Sequence, residues 1–379
     1  MTSKRNRQHR GFETAYLLDP VDARVIEGLT VARERLVRVD FMGIAGRPWP
    51  RGARPEDGDD HTVLRLPDEL DDLEVLQRVR AGGYAGHPIG IGIAGSRVAV
   101  VVPHELADGT ESSALLQGLL AAATGVEPPV PDRPVRFPVL RAIRSVGPSS
   151  FIRYVQQRSE RTPPSVSAAT LDDPALVSLT LDGDRLTQVR RGRSSGGRAS
   201  ISTRLASIAV SALLASARDE RVAELQVPVD LRHEAGGRVA GNFVQAVTLG
   251  TVDSSQTPGA ISVALAARRE GLIPAMVSGE LNPRHLLRRH GPAGPGRLGV
   301  GLSMMQVPDL PDTVWATPSV SARRFVCTSL GEGAVLLVVI ATARDAAFVS
   351  LIDCTGWIDS TRFEHEFLSE IESRRQSAG

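Results

Sequence analysis

The chain is 379 residues long, with 44 basic and 43 acidic side chains, 42% apolar residues and two cysteines. That length supports a sizeable core and two domains or lobes, while a net charge of +1 supplies no global field to draw in nucleic acid. Cys327 and Cys354 lie in apolar, strand-like segments without metal-ligand spacing, so reduced core thiols in a cytoplasmic protein, and no metal, are expected.

Lys4 to Arg10 is basic, but no apolar run follows it, so it reads as a frayed tail rather than a signal peptide. Residues 20–39 predict an amphipathic helix with Val25, Ile26, Leu29, Val31, Ala32 and Leu36 as its apolar positions. A Pro/Gly-rich loop over 47–60, a strand around 61–66 and a helix over 71–80 follow. Val98, Val100, Val101 and Val102 predict a buried strand, and residues 112–123 a helix with Leu115, Leu116, Leu119 and Leu120 on one face. Residues 124–138 carry five prolines and read as a linker; 141–158 reads as helical and 162–173 as loop. A second α/β series then begins, with strands at 176–181, 224–229 and 244–252 and helices at 199–217 and 258–270. Strands at 323–328, 334–342 and 346–352 and a helix over 360–375 close the chain. The most apolar run, Ala334 to Ala343, is too short to span a membrane. The expected fold class is α/β: two mixed lobes, residues 1–170 and 171–379, with a channel between them suited to a small molecule.

The densest chemical signal is Val100-Val101-Val102-Pro103-His104-Glu105-Leu106-Ala107-Asp108-Gly109. A β-branched run stops at Pro103, which has no N–H for the ladder, and His104 follows at once. A histidine at a strand end has rigid support behind it and open space in front, the placement a general base needs. The bland alternative is a satisfied histidine beside a structural Asp-Gly turn; on local pattern the two readings weigh equally.

Three stretches taken in order resemble the chloramphenicol acetyltransferase-like superfamily, which includes nonribosomal-peptide condensation domains and polyketide-associated acyltransferases. They are His104 to Gly109, Val227-Pro228-Val229-Asp230-Leu231-Arg232 followed by Gly241-Asn242-Phe243, and Val326-Cys327-Thr328-Ser329-Leu330-Gly331. Condensation domains usually carry two adjacent histidines; Pro103 replaces the first here, and His104 occupies the catalytic second position. Thr328-Ser329 stands where the family has Ser-Asn, and the Asp-Phe-Gly-Trp motif of the plant members is absent. The resemblance therefore implies a compact, stand-alone bacterial acyltransferase of specialised metabolism.

By that resemblance, His104 takes a proton from an acceptor hydroxyl or amine while an acyl group leaves a thioester. The donor is coenzyme A or the phosphopantetheine of an acyl or peptidyl carrier protein, acting as co-substrate, with no tightly bound cofactor. Asp108 then pairs with an arginine and fixes the loop; Arg33, Arg35 and Arg38 are weak candidates for that partner. Gly109 is expected to permit a backbone angle or a close approach that a side chain would block. Asn242 and Ser329 are candidates for the channel or the oxyanion side, against readings as a turn residue and a strand-end hydroxyl. Asp230 and Arg232 read first as an ion pair bracing the cleft and second as substrate contacts. The basic stretches 190–198 and 284–297 are candidates for coenzyme A phosphates or a carrier protein, against solvated loops. Two alternatives stay open: a repurposed enzyme using His104 for cyclisation or proton transfer, and a non-catalytic binding module.

Overall fold

The structure is a computed structural model. It describes residues 12–43, 63–84, 87–104, 106–128, 132–147, 174–191, 200–219, 222–239, 244–251, 261, 297–307, 310–331 and 336–376. The chain begins with strand β1 (Phe12–Asp19) and helix α1 (Ala23–Arg38), then β2 (Leu64–Arg65), α2 (Asp72–Gly82), β3 (Gly90–Ala94), β4 (Arg97–Pro103), α3 (Gly109–Ala123) and α4 (Pro138–Val146). The second half holds β5 (Ala175–Leu181), α5 (Gly183–Arg191), α6 (Ile201–Ser216), β6 (Val222–Asp230), α7 (Arg232–Ala235), β7 (Val244–Thr251) and β8 (Arg297–Gln306). It ends with β9 (Arg324–Gly331), β10 (Leu336–Thr342), β11 (Ala347–Asp353) and α8 (Ser360–Gln376).

These strands make two mixed sheets, ordered β2-β3-β4-β1-β9 and β5-β11-β10-β8-β6-β7. One strand crosses over. β9 belongs to the second half by sequence, yet it pairs antiparallel with β1, Ser329 opposite Thr14 and Cys327 opposite Tyr16. The chain then returns to the second sheet through β10, which lies parallel to β8. Period-2 alternation assigns the faces of the first sheet. Tyr16, Leu18, Val98, Val100, Val102, Phe325 and Cys327 pack toward α1 and α3, in a cluster that also takes in Val339, Ala341 and Phe348 of the second sheet. Ala15, Leu17, Ala99, Val101 and Val326 pack on the opposite face, with Leu73, Val75, Leu76 and Val79 of α2. The two halves therefore share apolar core where they meet.

Most of the predicted elements are present, and the departures have physical causes. β1, the strand between β4 and β9, was not expected, because every residue of Ala15–Leu18 is buried and the run shows no alternation. β3 and β8 are rich in glycine (Gly90-Ile91-Gly92 and Gly299-Val300-Gly301), which lowers strand propensity. α1 buries Val25, Leu29, Ala32 and Leu36 as its period requires, but Val31 is exposed and the apolar face closes around Arg33 instead. α1 and α3 run in close contact: a Cβ on Gly28 would stand 2.3 Å from the Ala123 carbonyl oxygen, so only glycine fits that crossing. The predicted loops at 47–60 and 162–173 and the helix at 258–270 fall outside the described residues, apart from Ile261. No described helix is long and apolar enough to cross a membrane.

Candidate active site

β4 delivers His104. The β1–β4 ladder runs to Glu13 opposite Pro103, and one further bond, from the His104 N–H to the Phe12 carbonyl at 2.8 Å, holds the residue after the proline. The imidazole is only partly accessible. Enclosure lowers its pKa from the ordinary value, opposed by the negative charge of Asp108 and by a hydrogen bond to the residue's own backbone. An accepting backbone group favours the protonated imidazole, so this bond opposes the effect of burial.

Asp108 is the N-cap of α3 rather than part of a free turn. Its Oδ1 accepts from the Glu111 N–H at 3.3 Å, and its Oδ2 receives Arg232 Nη2 at 2.6 Å. The carboxylate is fully buried and the Arg232 side chain 11% exposed. Burial alone would lower the Arg232 pKa, but Asp108 and Asp230 outweigh it, and the net shift is upward. The arginine partner is thus Arg232, from the second half. Arg33, Arg35 and Arg38 are not the partner. Arg33 is buried and donates to the carbonyls of Gly83 and Tyr84, while Arg35 and Arg38 lie in the last turn of α1, half-buried and exposed.

Asp230 and Arg232 do form an ion pair, Nη1 to Oδ2 at 3.2 Å, and Asp230 also accepts from Thr110 Oγ1 at 3.1 Å and from the Arg232 N–H at 2.8 Å. The pair expected to brace the cleft therefore holds the His104 loop directly. A second pair was not anticipated. Arg238 Nη2 meets Glu111 Oε1 at 3.0 Å, both side chains largely buried, and Arg238 also donates to the carbonyls of Met42 and Asp132. Its one sequence signal was Asp108-x-x-Glu111, a capping-box spacing; the Glu111 carboxylate serves Arg238 in addition to marking the helix start. Arg232 and Arg238 come from one short segment in which Gly236 and Gly237 adopt φ of 69° and 153°.

Gly109 needs no special backbone angle. Its φ is not left-handed, and a Cβ there would meet no protein atom within 4 Å. The space is open at Gly109 and the exposed Thr110 only; Glu111, Ser112 and Ser113 of the same turn are buried. Ser329 lies inside β9 opposite Thr14, which itself pairs with Val102. Two interstrand spacings, ~10 Å, separate Ser329 from Val102 at the His104 end of the sheet. Alternation puts Thr14 and Ser329 on the face that carries Tyr16 and Cys327. Beneath that face, buried Tyr16 shares a 2.7 Å hydrogen bond with Ser112, and burial raises the Tyr16 pKa well above its ordinary value. Burial likewise pushes the Cys327 thiol up to about 12, so it is an inert core thiol. Asn242, the 192–198 part of the first basic loop and 284–296 of the second lie outside the described residues. Among the described residues no cluster of three or more His, Cys, Asp or Glu is placed to hold a metal. An open groove lined by Asp19, Asp68, Gly95, Arg97 and Arg324 sits at the opposite end of β1 and β4 from His104 and plays no part in this geometry.

No protein-family model and no curated protein sequence matches the chain. Solved structures do. Polyketide synthase associated protein 5 from Mycobacterium tuberculosis superposes with a TM-score of 0.55 at 14% identity, over 99% of this chain and 96% of that one. This is the chloramphenicol acetyltransferase-like fold. The starter condensation domain of rhizomide synthetase, in complex with C8-CoA, shares the fold at a TM-score of 0.53 and 14% identity, over 98% and 90% of the two chains. The epimerization domain from the third module of tyrocidine synthetase B shares it at 0.52 and 12%, over 98% and 93%. The two-lobed α/β architecture of the condensation domains thus extends over nearly the whole chain, with His104 where the halves are tied together.

Proposed function

We propose that this protein is an acyltransferase that moves an acyl group from a thioester donor to a hydroxyl or amine, with His104 as general base. The observation that carries this reading is the state of His104. It is held at a strand end by its N–H bond to the Phe12 carbonyl, and burial lowers its pKa, which favours the neutral imidazole a general base needs; Nε2 is taken as the base. Nε2 takes the proton of the acceptor O–H or N–H as the acceptor attacks the thioester carbonyl carbon. When the tetrahedral intermediate collapses, the C–S bond breaks and the same proton passes to the departing thiolate, giving the ester or amide and a free thiol. No enzyme nucleophile is needed, and the buried Cys327 thiol offers none. Asp108 acts through position: its charge is committed to Arg232, and the pair fixes the loop that carries His104. Ser329 and Asn242 remain the candidates for the oxyanion side, and Gly109 keeps the approach to His104 clear.

The donor in this reading is coenzyme A or a carrier-bound phosphopantetheine, and the C8-CoA complex of the rhizomide condensation domain supports the first. The setting is the cytoplasm of a bacterium making a specialised metabolite, with residues 1–170 and 171–379 as the two lobes of one channel. The test is an assay of acyl-coenzyme A and acyl-carrier donors against a panel of amines and alcohols, read as free thiol released, with His104→Ala as control. Thiol release that needs both the acceptor and His104 supports the reading. One observation favours a second reading, proton transfer without acyl transfer: an epimerization domain is built on the same fold. Solvent-deuterium incorporation into a carrier-bound aminoacyl group, without thiol release, would identify it.

A further inference from the structure

We propose that helix α4 and the turn before it are the docking face for an acidic, helical carrier protein that brings the acyl-pantetheine donor to His104. This proposal rests on the acyl-transfer reading above and names its partner. The 132–145 segment displays Arg133, Arg136, Arg141 and Arg144, all exposed, against a single exposed acid, Asp132. In a chain whose charges otherwise balance at 44 against 43, that is a local cationic face, and local charge complementarity steers a partner where a neutral whole cannot.

Apolar anchors lie within it. Phe137 is 69% and Leu140 53% exposed. Leu140 and Arg144 are spaced i,i+4 within α4, on one helix face, and Phe137 is the residue that caps its start. Phe137 is also held at φ 58°, ψ 56°, left-handed for a bulky residue with no side-chain cap bond to stabilise it. Such strain persists where surrounding structure imposes it and clusters at functional surfaces.

The inner side of α4 is already occupied. Ala142 is its fully buried residue, and the helix packs on α7, which opens with Arg232, the partner of Asp108. The Val135 N–H donates to the Arg238 carbonyl at 2.8 Å, and Arg238 grips Glu111 in the first turn of α3. A partner on the outer face is therefore seated on the two segments that hold the His104 loop, at the junction of the lobes. One exposed apolar side chain on a nine-residue helix and one at its N-cap give too little area to bury in a membrane surface, which favours a protein partner.

The probe is the octanoyl-loaded acyl carrier protein of bacterial fatty-acid synthesis, with octanoyl-coenzyme A as the free donor. Binding of labelled carrier to the full chain is followed by fluorescence anisotropy for the parent, Arg141→Glu/Arg144→Glu and Leu140→Asp. Circular dichroism confirms folding, and Phe137→Asn, which tolerates the left-handed backbone, serves if the other variants do not fold. Binding that weakens about tenfold or more on charge reversal, together with an equal fall in the ratio of carrier to coenzyme A turnover, supports the proposal. Unaltered affinity in the variants, no binding of carrier to the parent, or binding to phosphatidylglycerol vesicles in place of carrier overturns it. Failure of the acyl-transfer reading looks different: carrier binds through α4, yet neither donor releases thiol.

Discussion

Replacing Asp108 by alanine separates scaffold from chemistry at this site. The carboxylate is wholly buried, 2.6 Å from Arg232 Nη2, and it caps α3 through the Glu111 N–H. Removing one member of a buried ion pair costs about 3–5 kcal/mol, because the other charge stays behind in a desolvated place. Arg232 keeps Asp230 at 3.2 Å, but that carboxylate is 41% exposed and half given to solvent. It also keeps the Val239 carbonyl at 3.3 Å. These residual partners place the charge loss at the lower end, about 3 kcal/mol, and the lost cap adds about 1 kcal/mol. At roughly 2–4 °C per kcal/mol, melting temperature should fall by about 8 °C or more, with turnover falling alongside. Asp108→Asn keeps a capping oxygen and should recover the smaller share only. Asp108→Ala/Arg232→Met removes both charges and should be more stable than the two single losses added together. The assay is denaturant unfolding of the parent, these three variants and the single variant Arg232→Met, with thiol release measured on the same samples. Asp108→Ala as stable as the parent, or a double variant whose losses simply add, would show that the pair does not hold the loop.

Three further outcomes are expected. His104→Ala should keep the parent melting temperature within a degree or two and lose ~10²–10⁴-fold in turnover; full activity in the folded variant would remove His104 from the mechanism. Since the base must be unprotonated and its pKa is lowered, turnover should hold as pH falls through 6.5 and decline only below that; Asp108 raises the His104 pKa, so Asp108→Asn should move the acid limb to still lower pH. An acid limb above pH 6.5 contradicts the assignment. Gly109→Ala should leave stability equal or improved, because its Cβ meets no protein atom and alanine favours the helix, yet turnover should drop if the donor or acceptor passes that point. A fully active Gly109→Ala variant would show that the substrate takes another route.

What could be read from the sequence follows the range of the forces involved. The His104 loop was legible because a strand end, a proline and a helix start are local events within eleven residues. The leucines of α3 and the apolar side of α1 were legible by period, and the second-half strands by their β-branched runs. β1 was hidden, since a strand buried on both faces between β4 and β9 has no alternation to show. β8 was hidden by its glycines. The partner of Asp108 was hidden for a different reason: 124 positions separate Asp108 from Arg232, and a buried carboxylate does not state which of many arginines reaches it. Asp230 and Arg232 were singled out as a mutual pair, and only their link to Asp108 and Thr110 was out of reach.

That link changes how the site must be viewed. Both ion pairs that hold the first turn of α3 are supplied from residues 232–238, so the position of His104 depends on the second half of the chain as much as on β4. Each pair joins the halves through a buried or near-buried acid, Asp108 and Glu111. Each is also short-ranged, because a charge-assisted hydrogen bond near 2.6–3.0 Å loses most of its worth once water can enter. Sliding one lobe on the other by an ångström would therefore break the clamps before it emptied the apolar core that the lobes share. The His104 loop would loosen while the fold survived. Substitutions in the 232–238 segment should accordingly reduce turnover at temperatures well below those at which the chain unfolds, and the gap between the two temperatures measures how far the site depends on the junction rather than on either lobe.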